Sequence, residues 1–383
     1  SVSLPALALA SSLLALGVAP VLPVINVILG NVIVLIPIQL NSQIGTKYGI
    51  PYPIFARMTF GNKGAKLSTI SRSIIGCGWT SIQSWVGGGA LAALLGIVIP
   101  FFSDQTQTIA MPGNPNVAIG QLIGFIVFVL VCGWVAYNGM EKIKWVQNIS
   151  APLLIVVIIG LLIWSVFTIY STGHTFADVF SVGNNEELIA QNGGFAYVYL
   201  AGLTANIAYW STMALNIPDF SKMAKSQKDQ FNGQLIGMPI PMAVCAVAGA
   251  LFAQATSYAY GTASYDPTTV FFYMSNPIAV AVCAIGVIVA TLTTCVAANV
   301  VAPSNGWSEL LPKKISFKKG VIITIIIAFF ILQAGWIYGS GAAYFTWMNA
   351  YGTILAPIAA IFIADYFIVK HKRGDIAALF KGA

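Results

Sequence analysis

The fold of this chain depends most on one stretch, residues 196–218, which reads AYVYLAGLTANIAYWSTMALNIP. It carries no charged side chain and is long enough to cross a bilayer, which takes about 20 apolar residues. Between Gly202 and Pro218 it contains several polar side chains, those of Asn206, Ser211, Thr212 and Asn216. Because proline removes a helical N–H and clashes with the preceding turn, we expect this span to be interrupted within the membrane.

The composition of the whole chain indicates that such spans dominate it. Of its 383 residues, 58% are hydrophobic and only 8% are charged, whereas about 25% are charged in an average soluble protein. So few charges cannot cover the surface of a soluble body of this size. We therefore predict an all-α integral membrane protein in which short loops join apolar helices.

Apolar runs between turn and charge signals predict ten transmembrane spans. They lie at about 1–17, 20–40, 70–98, 118–138, 148–170, 196–216, 232–256, 277–302, 320–338 and 343–369. The longest predicted connections are residues 41–69, 101–117 and 171–195. The first span reads as a helix entered partway along, so we expect the true N-terminus to be missing.

The basic residues are distributed asymmetrically over the loops. All 18 Lys and Arg residues fall in or beside every second loop or after the last span. The intervening loops hold acidic residues instead, namely Asp104, Asp178, Glu186, Glu187 and Asp266. The positive-inside rule then places both termini in the cytoplasm. We predict a multi-pass protein of the cell inner membrane. The net charge of +7 is explained by the Lys and Arg residues of the basic loops, which lie beside anionic lipid and determine the topology. Nucleic-acid binding is therefore not predicted.

Ten spans divide into two sets of five, and an odd number gives the two sets opposite orientations. Secondary transporters often have this inverted arrangement, with the first helix of each half broken near mid-membrane. Pro5 in span 1 would match the interruption in span 6, although proline and glycine are common in membrane helices in any case. We predict one membrane transport domain, 1–383, with repeats at 1–170 and 196–369 and a cytoplasmic tail at 370–383.

Two spans carry side chains suited to a flat ligand. Trp79 and Gln83 are four residues apart in span 3, so they share one helical face. An indole offers a stacking surface and a glutamine offers both a donor and an acceptor, which suits a heterocycle bearing an amide. A helix-packing face with an interfacial tryptophan explains the spacing equally well. Span 6 adds an aromatic pair, Tyr209 and Trp210, close to its expected break.

Span 8 contains oxygen groups suited to a cation. Thr293 and Thr294 lie close to the carbonyl of Ala290, and Asn299 follows in the same span. Threonine commonly bonds back to its own helix, but adjacent hydroxyls and a carbonyl also supply hard oxygens for Na⁺. No Asp, Glu or His lies in mid-span, which favours Na⁺ over H⁺ as the coupling ion and argues against hydrolysis. We predict no enzyme activity and no cofactor.

Several longer sequence motifs resemble those of the nucleobase:cation symporter-1 family, which comprises allantoin, uracil, cytosine and hydantoin permeases. The resemblance runs from about residue 3 to residue 373, and its most specific words are Lys47-Tyr48-Gly49-Ile50-Pro51, Gly78-Trp79 through Gln83, Asn216-Ile217-Pro218-Asp219-Phe220 and Ala297-Ala298-Asn299. It implies a LeuT-like five-plus-five inverted-repeat bundle. It also implies alternating access coupled to Na⁺ or H⁺, with a site between helices 1, 3, 6 and 8.

The resemblance further implies roles for single residues. Trp79 and Trp210 would sandwich the substrate ring, and Gln83 and Asn299 would hydrogen-bond its amide edge. The Na⁺ ligands would be the carbonyl of Ala290, the hydroxyls of Thr293 and Thr294, and carbonyls of helix 1, that of Val2 among them.

Three departures from the family pattern stand out. Family members usually have twelve helices, so helices 11 and 12 are missing from the ten-span chain. Cys295 stands where asparagine is common and removes an amide. Tyr209 stands where Gly or Phe is usual, and we expect it to crowd the pocket.

The predicted function is a monomeric symporter in the lipid bilayer that imports a nucleobase or related cyclic amide of the allantoin, uracil or hydantoin type with a coupling cation. The alternatives are the same fold carrying another small solute such as an amino acid, a passive channel, and a membrane receptor. An amino acid would need a charge partner for its carboxylate. A channel would show a pore motif or a charged ring, which the sequence does not contain.

Overall fold

A computed structural model describes residues 3–111, 114–138, 140–274, 276–331, 337–338 and 340–374. This part of the chain is almost entirely helical. The helices are α1 Leu4–Ala15, α2 Val21–Tyr48, α3 Tyr52–Gly96, α4 Ile119–Tyr137, α5 Met140–Ser171, α6 Phe176–Ser181, α7 Glu186–Gln191, α8 Phe195–Tyr209, α9 Ser211–Asn216, α10 Pro218–Ser221, α11 Gln227–Gly237, α12 Pro239–Tyr260, α13 Pro277–Thr294, α14 Val301–Leu310, α15 Phe317–Ile326 and α16 Gly341–Ile363. Short 3₁₀ helices occur at Pro100–Ser103 and Pro267–Phe272, and π-helical turns at Cys295–Val300, Ile327–Ile331 and Ala364–Val369.

Each of the ten predicted spans is mostly helical over its described residues. Six helical segments of the described chain are by themselves long and apolar enough to cross a membrane: Val21–Tyr48, Ile119–Tyr137, Pro152–Ser171, Gln227–Tyr260, Pro277–Leu310 and Gly341–Val369. The other four predicted spans are not among these six segments, each for a physical reason. Helix α1 has only 12 residues, α3 carries polar side chains from Thr80 to Ser84, α8 and α9 are separate helices, and span 9 runs into residues outside the described ones.

The interruption predicted between Gly202 and Pro218 is present. Helix α8 ends at Tyr209 and α9 begins at Ser211, because Trp210 leaves the helical backbone conformation, with φ −98° and ψ 1°. Pro5 behaves differently, since it lies in the first turn of α1, where its missing N–H has no helical partner to lose. It therefore lies at the start of the described helix.

Two predicted connections contain regular structure. Most of residues 41–69 is helical, because α2 continues to Tyr48 and α3 starts at Tyr52 and bends at Gly61, where φ is +68°. Within 101–117, strands β1 Thr108–Met111 and β2 Asn114–Ala118 form an antiparallel hairpin. Pairing satisfies the backbone N–H and C=O groups of this connection. This short hairpin is a local addition to the helical fold.

Helix α1 lies at the centre of the bundle. Leu7, Leu9 and Ala10 are completely buried, and the helix packs against α2, α3, α8, α12 and α16. A methyl group at Gly249 of α12 would lie 2.2 Å from the Leu7 carbonyl oxygen. The two backbones therefore approach more closely than any larger residue would permit, as is typical of packed membrane helices.

The outer faces of the long helices carry large apolar side chains. Ile36 of α2, Leu130 of α4, Ile163 of α5 and Ile278 of α13 are each more than half exposed. Such faces are unfavourable in water and are matched by lipid. Many polar side chains of the spans, among them Asn31, Gln83 and Asn206, are buried instead.

Candidate functional site

A cavity of about 580 Å³ lies between α3, the helices around the α8–α9 break, the π-helical turn Cys295–Val300 and α14. The five residues that the sequence predicted for substrate binding all line it: Trp79, Gln83, Tyr209, Trp210 and Asn299. They come from three segments of the chain that are far apart in sequence. Since residues four apart share a helical face, α3 presents Trp79 and Gln83 to the cavity together.

Tyr209 is a third aromatic wall of this cavity. Its ring centroid lies 5.0 Å from that of Trp79 and 5.1 Å from that of Trp210, with interplanar angles of 87° and 83°. It therefore meets both indoles edge-on. Trp79 also contacts Trp347, with centroids 5.2 Å apart. Edge-to-face contacts of this kind are favourable for aromatic pairs, and the Tyr209 ring takes up room beside both indoles.

Several polar atoms in the wall have no hydrogen-bond partner within the described part of the chain. These are Oε1 of Gln83, Nε1 of Trp210 and Oδ1 of Asn216, and all three are buried. An unpaired buried polar atom is costly, which makes these atoms candidate partners for a polar molecule in the cavity. Between the segments, Thr80 Oγ1 donates to the Asn299 carbonyl oxygen at 2.7 Å, which holds the π-helical turn against α3.

Some wall residues were not predicted from the sequence. Arg72 was interpreted as a topology determinant, whereas the structure buries it in the cavity wall with 7% exposure. The available signal was its spacing of seven residues from Trp79, because residues seven apart share a helical face. The structural role of Asp219 was also not predicted from the sequence. Its Oδ1 accepts a 2.8 Å hydrogen bond from the backbone N–H of Tyr52, at the start of α3.

The cavity continues from the aromatic residues towards one end of the bundle. There its lining includes Lys222 and Glu309, and Lys222 belongs to one of the basic loops. Phe220 and Asn305, which also line this end, are exposed. The cavity is thus accessible from the end of the bundle that carries the lysine-rich loops.

The predicted cation ligands of span 8 form one cluster. Oγ1 of Thr293 and Oγ1 of Thr294 each donate to the carbonyl oxygen of Ala290, both at 2.9 Å. This is the back-bonded arrangement common for threonine in helices, and a hydroxyl that donates still has lone pairs for a cation. Thr294 also lines the cavity, so the cluster borders the aromatic site. Val2 lies outside the described residues.

Residues 1–382 match the sequence profile of a family described as permeases for cytosine/purines, uracil, thiamine and allantoin. The chain belongs to this family. It is 34% identical over 379 residues to the purine-uracil permease NCS1 of Arabidopsis thaliana, covering 99% of the chain and 61% of that relative. It is 29% identical over 391 residues to the allantoin permease of Bacillus subtilis, covering 99% of the chain and 75% of that relative. This permease-family chain thus spans about three fifths to three quarters of the length of these relatives.

The fold is similar to the solved structure of Mhp1, a nucleobase-cation-symport-1 family transporter, in a closed conformation with bromovinylhydantoin bound. The TM-score is 0.73 at 19% identity, covering 99% of this chain and 78% of that one. The prediction of a LeuT-like multi-pass helix bundle is confirmed, as is the predicted family. Permeases move solutes and do not convert them, so this family member is not an enzyme.

Proposed function

We propose that this protein imports a nucleobase or related cyclic amide, of the allantoin, uracil or hydantoin type, in symport with a cation. The observation that carries the proposal is the cavity in which three aromatic rings meet polar atoms that lack partners. A flat ring with an amide edge satisfies both features at once, by stacking and by hydrogen bonding. The names of similar proteins support this class of substrate. The chain is similar to a purine-uracil permease and an allantoin permease, and the similar structure of Mhp1 has a hydantoin bound.

Each predicted site residue has a role in this proposal. Trp79 and Trp210 stack on the ring faces, and Tyr209 limits the width of the pocket. Gln83 and Asn299 bond the amide edge, because an amide side chain offers both the donor and the acceptor that such an edge requires. Support comes from their common position on the wall of one cavity.

Cation coupling is the second part of the proposal. Na⁺ would bind at the Ala290 carbonyl and the hydroxyls of Thr293 and Thr294, with Val2 completing the site from helix 1. A hard cation prefers such oxygen ligands, and the cluster borders the cavity through Thr294. If Na⁺ and substrate favour the same conformation, each raises the affinity for the other. Proton coupling is the alternative.

The transport cycle would be alternating access in the inner membrane. We propose that residues 1–170 and 196–369 are the two inverted repeats and that both termini are cytoplasmic; of the proposed tail, 370–383, residues beyond 374 lie outside the described chain. The basic loops would then face the cytoplasm. In that orientation the cavity opens inwards, the state from which an imported substrate leaves. The working unit would be a monomer in lipid.

The test is uptake of labelled uracil, allantoin and benzylhydantoin into proteoliposomes, each with and without a Na⁺ gradient. Accumulation of at least one of them driven by the gradient is the expected result. Uptake that equilibrates equally well without any ion gradient would indicate a channel. Binding without uptake would indicate a receptor. Accumulation driven by a pH gradient alone would replace Na⁺ with H⁺.

A further inference from the structure

The geometry points to Arg72 as a further substrate-binding residue, whose guanidinium donates hydrogen bonds to a second carbonyl oxygen of the substrate ring. The inference rests on the proposed function and narrows its substrate class. The favoured ligands are cyclic amides with two or more carbonyl groups. Rings that carry an amino group in place of the second carbonyl are disfavoured.

Arg72 lies on the same stripe of α3 as the predicted substrate residues. It precedes Trp79 by seven positions and Gln83 by eleven, and these spacings return to one helical face. All three residues line the same cavity. Arg72 therefore continues the binding face of α3 by two turns towards the lysine-bearing end of the bundle.

The Arg72 side chain extends back towards the aromatic site. A methyl group at Gly76 would lie 2.7 Å from Nη1 of Arg72, so the guanidinium has reached the turn that leads to Trp79. Nη2 donates to the carbonyl oxygen of Ala298 at 3.4 Å, and Ala298 immediately precedes Asn299. The guanidinium thus lies in the wall of the same cavity, next to the backbone that leads to a predicted substrate residue.

The guanidinium has donors that the protein does not use. Nε and Nη1 of Arg72 are buried and have no hydrogen-bond partner among the described residues. Within that part of the chain no carboxylate oxygen lies within 4.0 Å of it, although Asp219 and Glu309 line the same cavity. A buried charge is costly unless it is paired or hydrogen-bonded. A bound ligand with acceptor oxygens removes this cost.

The chemistry of the guanidinium defines what it selects. It carries five N–H donors and no acceptor, so it bonds a carbonyl oxygen and leaves an amino group unpaired. With Gln83 and Asn299 bonding one amide edge of the ring, Arg72 would bond a second carbonyl beyond that edge. Uracil, hydantoin and allantoin have such a carbonyl, whereas cytosine has an amino group at the corresponding position.

The test compares ligands that differ by one carbonyl on the purified full chain in Na⁺, measured by calorimetric binding. For the wild type we expect uracil to bind about 10- to 100-fold more tightly than cytosine or pyrimidin-2-one, as expected for a charge-assisted hydrogen bond. Hydantoin against imidazolidin-2-one makes the same comparison in a five-membered ring. Equal affinities within these pairs would overturn the inference without any variant.

Variants then assign the selectivity to Arg72. In Arg72→Gln the uracil preference should fall to within about threefold, because glutamine offers an acceptor as well as donors; Arg72→Lys should retain part of it. Lys66→Gln, which removes an exposed cation from the same helix, should leave the ratio unchanged. If the ratio is undiminished in a folded Arg72→Gln variant, the inference about Arg72 is overturned and the proposed function is not affected. If the wild type binds no cyclic amide at all, the proposed function fails instead.

Discussion

The hydroxyl oxygens of Tyr209 and Ser3 lie 2.9 Å apart, although the two residues are 206 positions apart in the chain. Ser3 immediately precedes α1 and Tyr209 ends α8. This bond therefore joins the starting point of the central helix to the break in the second half of the bundle, at the wall of the cavity. Any motion that separates these two helix ends must break it or carry Tyr209 along.

Replacing Tyr209 should change which ligands fit. Tyr209→Ala removes a ring that contacts both Trp79 and Trp210, so we expect benzylhydantoin to gain affinity relative to uracil. Calorimetric binding of both ligands measures the ratio. Tyr209→Phe is the control, since it loses only the hydroxyl and should leave the ratio near that of the wild type. If the alanine variant keeps the wild-type ratio, Tyr209 does not set the width of the pocket.

Trp79 should be required for binding rather than for folding. Trp79→Ala removes a stacking surface, and stacking of a base on an aromatic side chain contributes about 1–3 kcal/mol, so affinity should fall about 10- to 100-fold. Trp85→Ala is the matched control, because Trp85 is an equally buried tryptophan of α3 that packs on Phe125. Both variants should lower Tm, but only Trp79→Ala should weaken binding. Similar loss of binding in both would indicate a general packing effect.

Gln83 should contribute through its unpaired amide oxygen. In Gln83→Leu we expect cyclic-amide binding to weaken by about 1–3 kcal/mol, because a polar group of the ligand is then buried without a partner. Gln39→Leu supplies the comparison, since Gln39 is also buried with an unpaired Oε1 but bonds the Phe231 carbonyl of α11. Affinity of the Gln83 variant equal to that of the wild type would move the hydrogen-bonding edge elsewhere.

The two adjacent threonines should be needed for the cation effect. Replacing both Thr293 and Thr294 with alanine removes two oxygens from the cluster around the Ala290 carbonyl, so we expect Na⁺ to lose its stimulation of substrate binding. Substitution of both by serine keeps the hydroxyls and should keep the stimulation. Thr291→Ala, in the same helix, serves as a further control. Stimulation that persists in the double alanine variant would locate the cation elsewhere or favour H⁺.

The stability of the protein should depend on Asp266, which lies in the connection between α12 and α13. Burial raises the pKa of this carboxyl, and hydrogen bonds from the backbone N–H and hydroxyl of Thr268, at 2.9 and 2.8 Å, oppose the shift. A raised folded-state pKa stabilises the protein below the ordinary value near 3.9, and that contribution is lost as pH rises through the folded-state pKa.

Asp266→Asn keeps an acceptor for Thr268 and removes the titration. We therefore expect its Tm to equal or exceed that of the wild type at pH 7.5, with the difference shrinking towards pH 4. Thermal unfolding in detergent across that range measures the effect. The quantity to compare is the Tm of the variant minus that of the wild type. If this difference is smaller at pH 7.5 than at pH 4, the sign of the pKa shift is contradicted.

Much of the fold could be predicted because its causes are local. Runs of apolar residues identify membrane helices whatever their neighbours are, and the basic loops between them mark every second connection. The helical continuation beyond the predicted spans, at Tyr48 and Tyr52, could not be predicted in this way. These segments carry charges and polar groups, so hydropathy alone does not distinguish them from loops.

By itself, the sequence determined that the chain belongs in a membrane, where its helices lie, and that Trp79 and Gln83 share a face, since hydrophobicity and helical period act between near neighbours. Only the tertiary structure decided that the interruption of span 6 falls at Trp210, that Tyr209 meets both indoles and bonds Ser3, and that Arg72 lies buried beside Ala298. The bond between Tyr209 and Ser3 and the contact between Arg72 and Ala298 join residues 206 and 226 positions apart. These relationships depend on how whole helices pack, which no local pattern encodes.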